Sequence, residues 1–281
     1  REVSLLKSTG VDTELPDTSG TGSIAKVDPF APTPGMVSTT NQGTPGNSNT
    51  PGNAAAPGST DSSGNSSTAN SIDNPNIKKP LDNTKPEVLI YHTHTTESYD
   101  PNGNYNDDPS KNVCAVGDVL TDELENKYGI NVAHDKTIHN SSFNASYSRS
   151  RETVNKYLNK YGDFKLIIDL HRDAAYSKST VTTKMNGENV ADIRFVLCKK
   201  NPHFDKNLAV ANSLADISNK YFPGFFKDIY YYNYGSKYFN QDLSNNAILI
   251  EVGANINTMD ESKTSGKYIA RIIAEYLNGK K

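Results

Sequence analysis

Three short apolar runs, each ending in histidine or glutamate, constrain this chain more than any other feature. The first is Pro86–Tyr99, PEVLIYHTHTTESY, where Glu87–Tyr91 reads as a buried strand and His92, His94 and Glu97 follow within six residues. The second, Phe164–Leu170 (FKLIIDL), runs into His171, Arg172 and Asp173. The third, Ala247–Ile250 (AILI), runs into Glu251, followed by Val252, Gly253, Ala254 and Asn255. Imidazole and carboxylate at the carboxyl ends of buried strands are where an α/β protein places its chemistry. Three such ends could converge on one metal ion.

Between these runs, helical and strand-like patterns alternate. Asn112–Tyr128 carries Val113, Val116, Leu120 and Leu124 at three- and four-residue spacing and closes at Gly129, which predicts an amphipathic helix. A short strand over Ile130–Ala133 ends at His134 and Asp135. A helix over Ser146–Lys160, stopped by Gly162, leads into FKLIIDL. The polar segment 174–191 contains an Asn186-Gly187 turn. Ile193–Cys198 is a strand, Phe204–Tyr221 a helix ended by Pro223-Gly224, and Ile229–Tyr232 a short aromatic strand. Tyr238–Asn245 reads as loop, and Met259–Leu277 closes the chain as a helix. The pattern predicts an α/β domain with a mostly parallel sheet and helices on both faces.

That domain does not fill the chain. Hydrophobic residues make up 35% of the 281 residues, against roughly 45–50% in an average globular protein on a somewhat broader definition. The shortfall lies at the start. From Lys26 to Lys78 no Lys or Arg intervenes, and Ser, Thr, Asn, Gly, Pro and Ala dominate. Such a composition cannot offset an ordering cost of roughly 1–2 kcal/mol per residue, so residues 1–84 read as a disordered or flexible spacer and residues 85–281 as the folded unit. Val3, Leu5 and Leu6 could support one short element near the start. No run approaches the ~18 apolar residues of a membrane span. The start at Arg1, without Met or an apolar run, suggests a processed or shortened chain with room for an anchor upstream. A net charge of −3 gives no reason to expect nucleic acid. Cys114 and Cys198 read as two buried free thiols.

A histidine beside a strand is more often a structural hydrogen-bond partner than a ligand. Here that reading weakens, because His94, His171 and Glu251 occupy equivalent strand ends. Zinc takes imidazole and carboxylate ligands, and a catalytic site keeps one position open for water. The spacing is not the H-E-x-x-H of helical metalloproteases, so spacing alone does not establish a metal site.

HTHTTESY, with His134-Asp135, YSRS at Tyr147–Ser150, DLHRD at Asp169–Asp173 and EVGANINT at Glu251–Thr258, closely resembles the stage II sporulation protein P family. It is similar, more distantly, to zinc-dependent N-acetylmuramoyl-L-alanine amidases of the amidase type 3 fold. The resemblance covers about residues 86–278. It implies an amidase type 3-like fold, a Zn2+ cofactor, and a peptidoglycan hydrolase that cleaves the N-acetylmuramoyl-L-alanine amide bond during forespore engulfment, with a second activity on peptide cross-links. It further implies a location on the outer face of the mother-cell membrane and an anchor missing from this chain. The partners it implies are a lytic transglycosylase and a multi-pass membrane protein.

Carried over residue by residue, the resemblance makes His94 and His171 zinc ligands and Glu251 the catalytic glutamate. The carboxylate ligand departs from the wider pattern, which has a glutamate just before the first helix where this chain reads NDDPSKN. Glu97 is the nearest substitute, with Asp107 and Asp108 as alternatives. His92 could replace His94, although its alternation with Ile90 points it into the sheet. Arg172 and Asp173 would orient ligands or a substrate carboxylate, or else form a surface ion pair. His134 and His139 could line the groove, Arg149 could contact substrate or form a structural ion pair, and His203 reads as a loop residue. Two other readings stay open: a peptidoglycan-binding or scaffolding module with a degenerate site, and a peptide-only carboxypeptidase.

Overall fold

The computed structural model describes residues 71–279. Most of the expected spacer, and the short element expected near Val3–Leu6, lie outside the described residues. Strands β1 (Val88–Tyr91), β2 (Val132–His134), β3 (Leu166–Asp173), β6 (Ile193–Cys198), β7 (Phe226–Tyr232) and β8 (Ala247–Ala254) form one sheet in the order β2-β1-β3-β8-β6-β7. All neighbouring pairs are parallel except β6 with β8, so the sheet is mostly parallel, as the alternating pattern requires. A separate antiparallel hairpin, β4 (Thr182–Met185) and β5 (Glu188–Ala191), turns at Asn186-Gly187, where both residues have positive φ.

Strand periodicity sorts the side chains. Val88, Ile90, Ile168, Leu170, Ile248, Ile250 and Phe195 face a core built with α1 (Val113–Asp122), α3 (Phe204–Tyr221) and α4 (Met259–Asn278). Leu89, Tyr91, Ile167 and Leu249 face the other way, toward α2 (Ser146–Tyr161) and the turn Ser236–Leu243. Helices therefore cover both faces. The Asn112 side chain accepts from Cys114 N and starts α1, while Thr258 and Glu261 form a reciprocal capping box that starts α4. In the turn, Lys237, Tyr238, Phe239 and Asn240 all have positive φ, a left-handed stretch unfavourable for L-residues. It seats Phe239 against Tyr147 and directs Gln241 to the backbone of Val196 and Cys198.

Two boundaries differ from the sequence reading. Residues 71–84, assigned there to the spacer, dock on the domain. Ile72 and Ile77 pack against the core, Arg271 donates to the carbonyls of Ser71 and Ile72, and Asn278 donates to that of Ile77. Gly129 permits this docking: its φ is +67°, and a Cβ there would lie 1.8 Å from the Lys79 carbonyl oxygen. Composition missed the strap because its anchors are few and its partners lie about two hundred residues away in sequence. The second difference is that β3 and β8 run through His171–Asp173 and Glu251–Ala254 instead of ending before them. Cys114 and Cys198 are free and buried.

Candidate metal centre and catalytic glutamate

Parallel register puts His171 of β3 beside Glu251 of β8, and Glu251 is in turn opposite Arg194 of β6. The three share one sheet face, on the α2 side, because neighbours in register point the same way. Asp169, two residues before His171, lies on that face too. β1 stops at Tyr91, and the chain after it folds back through a turn closed by Glu97 N to His94 O (3.0 Å). This return delivers Glu97 to the end of β3, where its Oε2 accepts from Arg172 N (3.0 Å) and lies 3.4 Å from His171 Nδ1.

His171 is held from both sides. Its Nε2 forms an ion pair with Asp169 (2.9 Å), and Asp169 also accepts from the backbone and hydroxyl of Thr93 (2.8 and 2.6 Å). That bond orients the ring and turns Nδ1 toward Glu97. The His94 ring stacks on Phe143 at 4.5 Å between centroids and meets His171 edge-on at 5.3 Å. His94, Glu97, Asp169, His171 and Glu251 are each 2% exposed or less.

Burial sets the protonation. It pushes His94 down to about 4, with Glu97 opposing the fall. Burial works against the carboxylate of Glu97, but His171 and Arg172 overcome it and hold Glu97 near about 2. Burial likewise opposes the charged ring of His171, yet Asp169 and Glu97 keep its pKa well above the ordinary imidazole value. Glu251 goes the other way: burial and the nearby Asp173 carboxylate raise it well above the usual carboxylate range.

Among the described residues, no group of three or more His, Cys, Asp or Glu side chains stands as an assembled metal cage. The donors nevertheless suit zinc in kind: two imidazoles and a carboxylate meet on one face. Glu97 Oε1 is buried and has no hydrogen-bond partner among the described residues, a costly arrangement that a cation would relieve. Asp107 and Asp108 stay on the loop, where Asp108 caps Ser110 and pairs with Lys111 at 3.1 Å.

Arg172 does not join this face. As the strand neighbour of His171 it points the opposite way, buried, with Nε donating to Ser98 O (3.1 Å) and Nη2 to Asn104 O (2.5 Å). It braces the loop that carries Glu97, a contact in keeping with the expectation that it orients a ligand. Asp173 accepts from Arg194 at 3.0 Å. Gly253 has φ +54° and makes room for the Asn257 side chain, 2.4 Å from where a Cβ would stand.

His92 donates from Nδ1 to Leu170 O (2.9 Å) and meets His134 Nε2 at 2.8 Å; burial lowers its pKa to about 3. His134 continues to Asp118. His139 donates to His92 O (2.7 Å) and accepts from Thr153 Oγ1. Arg149 donates to Ser141 Oγ and His139 O, and His203 sits in the turn before α3. Sequence reading missed Asp169, Arg194, Phe143 and Tyr147. The D-L-H spacing could have revealed Asp169, since alternate strand residues share a face.

Fold and site together define an α/β domain with imidazoles and carboxylates gathered at the carboxyl ends of adjacent parallel strands. The family model "Stage II sporulation protein P (SpoIIP)" matches residues 21–274, and the chain belongs to that family. Stage II sporulation protein P of Bacillus subtilis (strain 168) is 33% identical over 208 residues, covering 68% of this chain and 51% of the relative. The chain thus spans about half the length of that relative. Among solved structures, the N-acetylmuramoyl-L-alanine amidase AmiC2 of Nostoc punctiforme is similar at TM-score 0.43 and 14% identity, over 68% of this chain and 96% of that one. The CwlD amidase from Clostridioides difficile, in complex with the GerS lipoprotein, is similar at TM-score 0.43 and 14% identity, over 68% and 95%.

Proposed function

We propose that this domain is a zinc-dependent N-acetylmuramoyl-L-alanine amidase acting on peptidoglycan during forespore engulfment. The observation that carries the reading is the row formed by His171 and Glu251 in strand register, with Glu97 and His94 delivered beside it. His94, Glu97 and His171 would hold the metal. Bound zinc supplies Lewis acidity that activates water near neutral pH and polarises a carbonyl.

The chain's own residues do the rest. Asp169 holds His171 in one orientation, and Arg172 braces the loop behind Glu97. Glu251, outside the ligand set, takes a proton from the attacking water and passes it to the amide nitrogen as the bond to the lactyl carbonyl breaks. Without that transfer the nitrogen would leave as an amide anion, so the step is worth roughly 10²–10⁴ in rate. A second cleavage, of stem-peptide cross-links, would use the same groups.

Membership of the sporulation family supports the setting. We infer a location outside the cytoplasmic membrane, an upstream anchor, and work beside a lytic transglycosylase and a multi-pass membrane protein. Among the described residues no helix is long and apolar enough to cross a membrane.

The test is mass analysis of fragments released from purified peptidoglycan, with and without chelator, by wild type and Glu251→Gln. The variant keeps the size of the side chain but cannot exchange the proton. It should retain its fold and zinc and lose nearly all release of stem peptides. A stable variant with wild-type release would end the catalytic assignment. One observation favours a second reading, a catalytically weak binding or scaffolding module. The ion pairs of His171 with Asp169 and Glu97 already hold these buried groups together. That reading expects peptidoglycan binding by wild type with no release at any zinc concentration.

A further inference from the structure

Four successive residues, Lys237, Tyr238, Phe239 and Asn240, hold φ between +48° and +56°. Of these types only asparagine visits that region readily, so the turn Ser236–Leu243 persists because its surroundings over-determine it. Gln241 accepts from Cys198 N (3.0 Å) and donates to Val196 O (2.8 Å), which ties the turn to β6. Asp242 makes a two-pronged pair with Arg151 of α2 (2.8 and 2.6 Å). Between these anchors Phe239 and Asn240 are buried. Strain that a fold holds in this way clusters where it positions functional groups.

Asn240 begins a line of buried polar contacts that ends on a candidate metal ligand. Its Nδ2 donates to Ser150 Oγ (2.9 Å), and Ser150 Oγ meets Thr93 Oγ1 (2.8 Å). Thr93 Oγ1 donates to Asp169 Oδ2 (2.6 Å), and Asp169 Oδ1 pairs with His171 Nε2 (2.9 Å). The direction is forced from both ends. The same Nδ2 faces Tyr147 O (3.4 Å), which can only accept, so the amide presents its N–H end to Ser150. The Asp169 carboxylate also only accepts, so Thr93 places its hydrogen there and must accept from Ser150. Ser150 has another acceptor in Tyr147 O, but at the longer distance of 3.3 Å. Every hydrogen in the line therefore points toward Asp169, and bonds aligned head to tail polarise one another. A second contact leaves the same turn. Phe239 packs on Tyr147 (5.4 Å between centroids), which meets the His94 ring edge-on at 5.7 Å.

We propose that Asn240, seated by the left-handed turn, is a positioning residue that acts through Ser150, Thr93 and Asp169 to fix the His171 ring for metal. The metal rests on the amidase reading, whereas the fixing of the ring does not. Without the Asn240 amide, the Ser150 hydroxyl can rotate to Tyr147 O, and the side of Asp169 away from His171 is then set by Thr93 alone.

Glycine adopts φ near +56° without strain, so Asn240→Gly removes the amide while relaxing the backbone, and the variant should melt close to wild type. Lys237→Gly relaxes the same turn at an exposed position outside the line and serves as control. Two readings are taken on the full chain: zinc affinity, by competition with a chromophoric chelator, and the ring-nitrogen chemical shifts of His171 in the metal-free protein. Asn240→Gly and Ser150→Ala should each weaken zinc binding about three- to tenfold, less than a change at Asp169, and should move the His171 ring nitrogens. Combined, they should lose no more than the worse of the two, because both break one line. Lys237→Gly should change neither reading. Unmoved ring nitrogens, or zinc affinity unchanged in a chain that binds zinc, would overturn the proposal. So would equal movement in Lys237→Gly, or losses that add. Should Asn240→Gly fail to fold, Ser150→Ala decides alone, since it leaves the turn's backbone as it is. Ring nitrogens that move in a chain holding no zinc at any concentration would keep the positioning role and reject the metal reading alone.

Discussion

Replacing Asp169 tests the central network most sharply, because the two obvious substitutions should differ. Oδ1 of Asp169 accepts from Thr93 N and forms an ion pair with His171 Nε2, and Oδ2 accepts from Thr93 Oγ1. In Asp169→Ala, the Thr93 amide and the His171 ring lose their acceptor while buried. The Thr93 hydroxyl can turn to Ser150 Oγ, 2.8 Å away. Two stranded donors at ~1–3 kcal/mol each, one of them in an ion pair, make a loss of about 3–5 kcal/mol. In Asp169→Asn the amide oxygen can take the Oδ1 position and keep both bonds. The amide nitrogen then donates to Thr93 Oγ1, whose own hydroxyl hydrogen turns to Ser150 Oγ. Only the charge is lost, at about 1–2 kcal/mol. Both variants loosen the ring that would hold metal, so zinc affinity should fall about 10- to 100-fold, more in alanine than in asparagine. Urea unfolding reads the first quantity and competition with a chromophoric chelator the second. Equal losses for the two variants, or zinc affinity unchanged in Asp169→Ala, would refute the reasoning.

Truncation should separate spacer from strap. Removing residues 1–70 should leave the melting temperature unchanged, whereas removing 1–84 should cost about 2 kcal/mol from the packing of Ile72 and Ile77. Gly129→Ala should harm the full chain more than the shorter one, because its Cβ collides with Lys79 only when the strap is present; equal effects would contradict the docking. Asp192 supplies the pH test: burial raises its pKa to about 6 from 3.8. The folded state therefore binds the proton more tightly. This contribution to stability is complete below about pH 4 and lost as pH rises through about 6. Asp192→Asn should flatten that part of the curve, read as the difference in melting temperature from wild type between pH 4 and 7.

Much of this protein was legible along the chain. Apolar runs and Gly stops depend on residues close in sequence, so the alternation of strand and helix, the covered sheet and the placing of His171 and Glu251 at equivalent strand ends could be read directly. The composition shift placed the start of the folded unit at 85, about fourteen residues after the first residue of the docked strap at 71, because burial capacity is a local property and the strap's few anchors are not. What the tertiary structure decided was facing. His171 and Arg172 are adjacent in sequence, yet the pleat sends one into the site and the other behind it. Glu97 reaches His171 only because the chain doubles back after β1. Arg194 stands opposite Glu251 only because β6 runs antiparallel to β8. Strand direction, register and loop return are settled by contacts between distant segments, and no local pattern of residues encodes them.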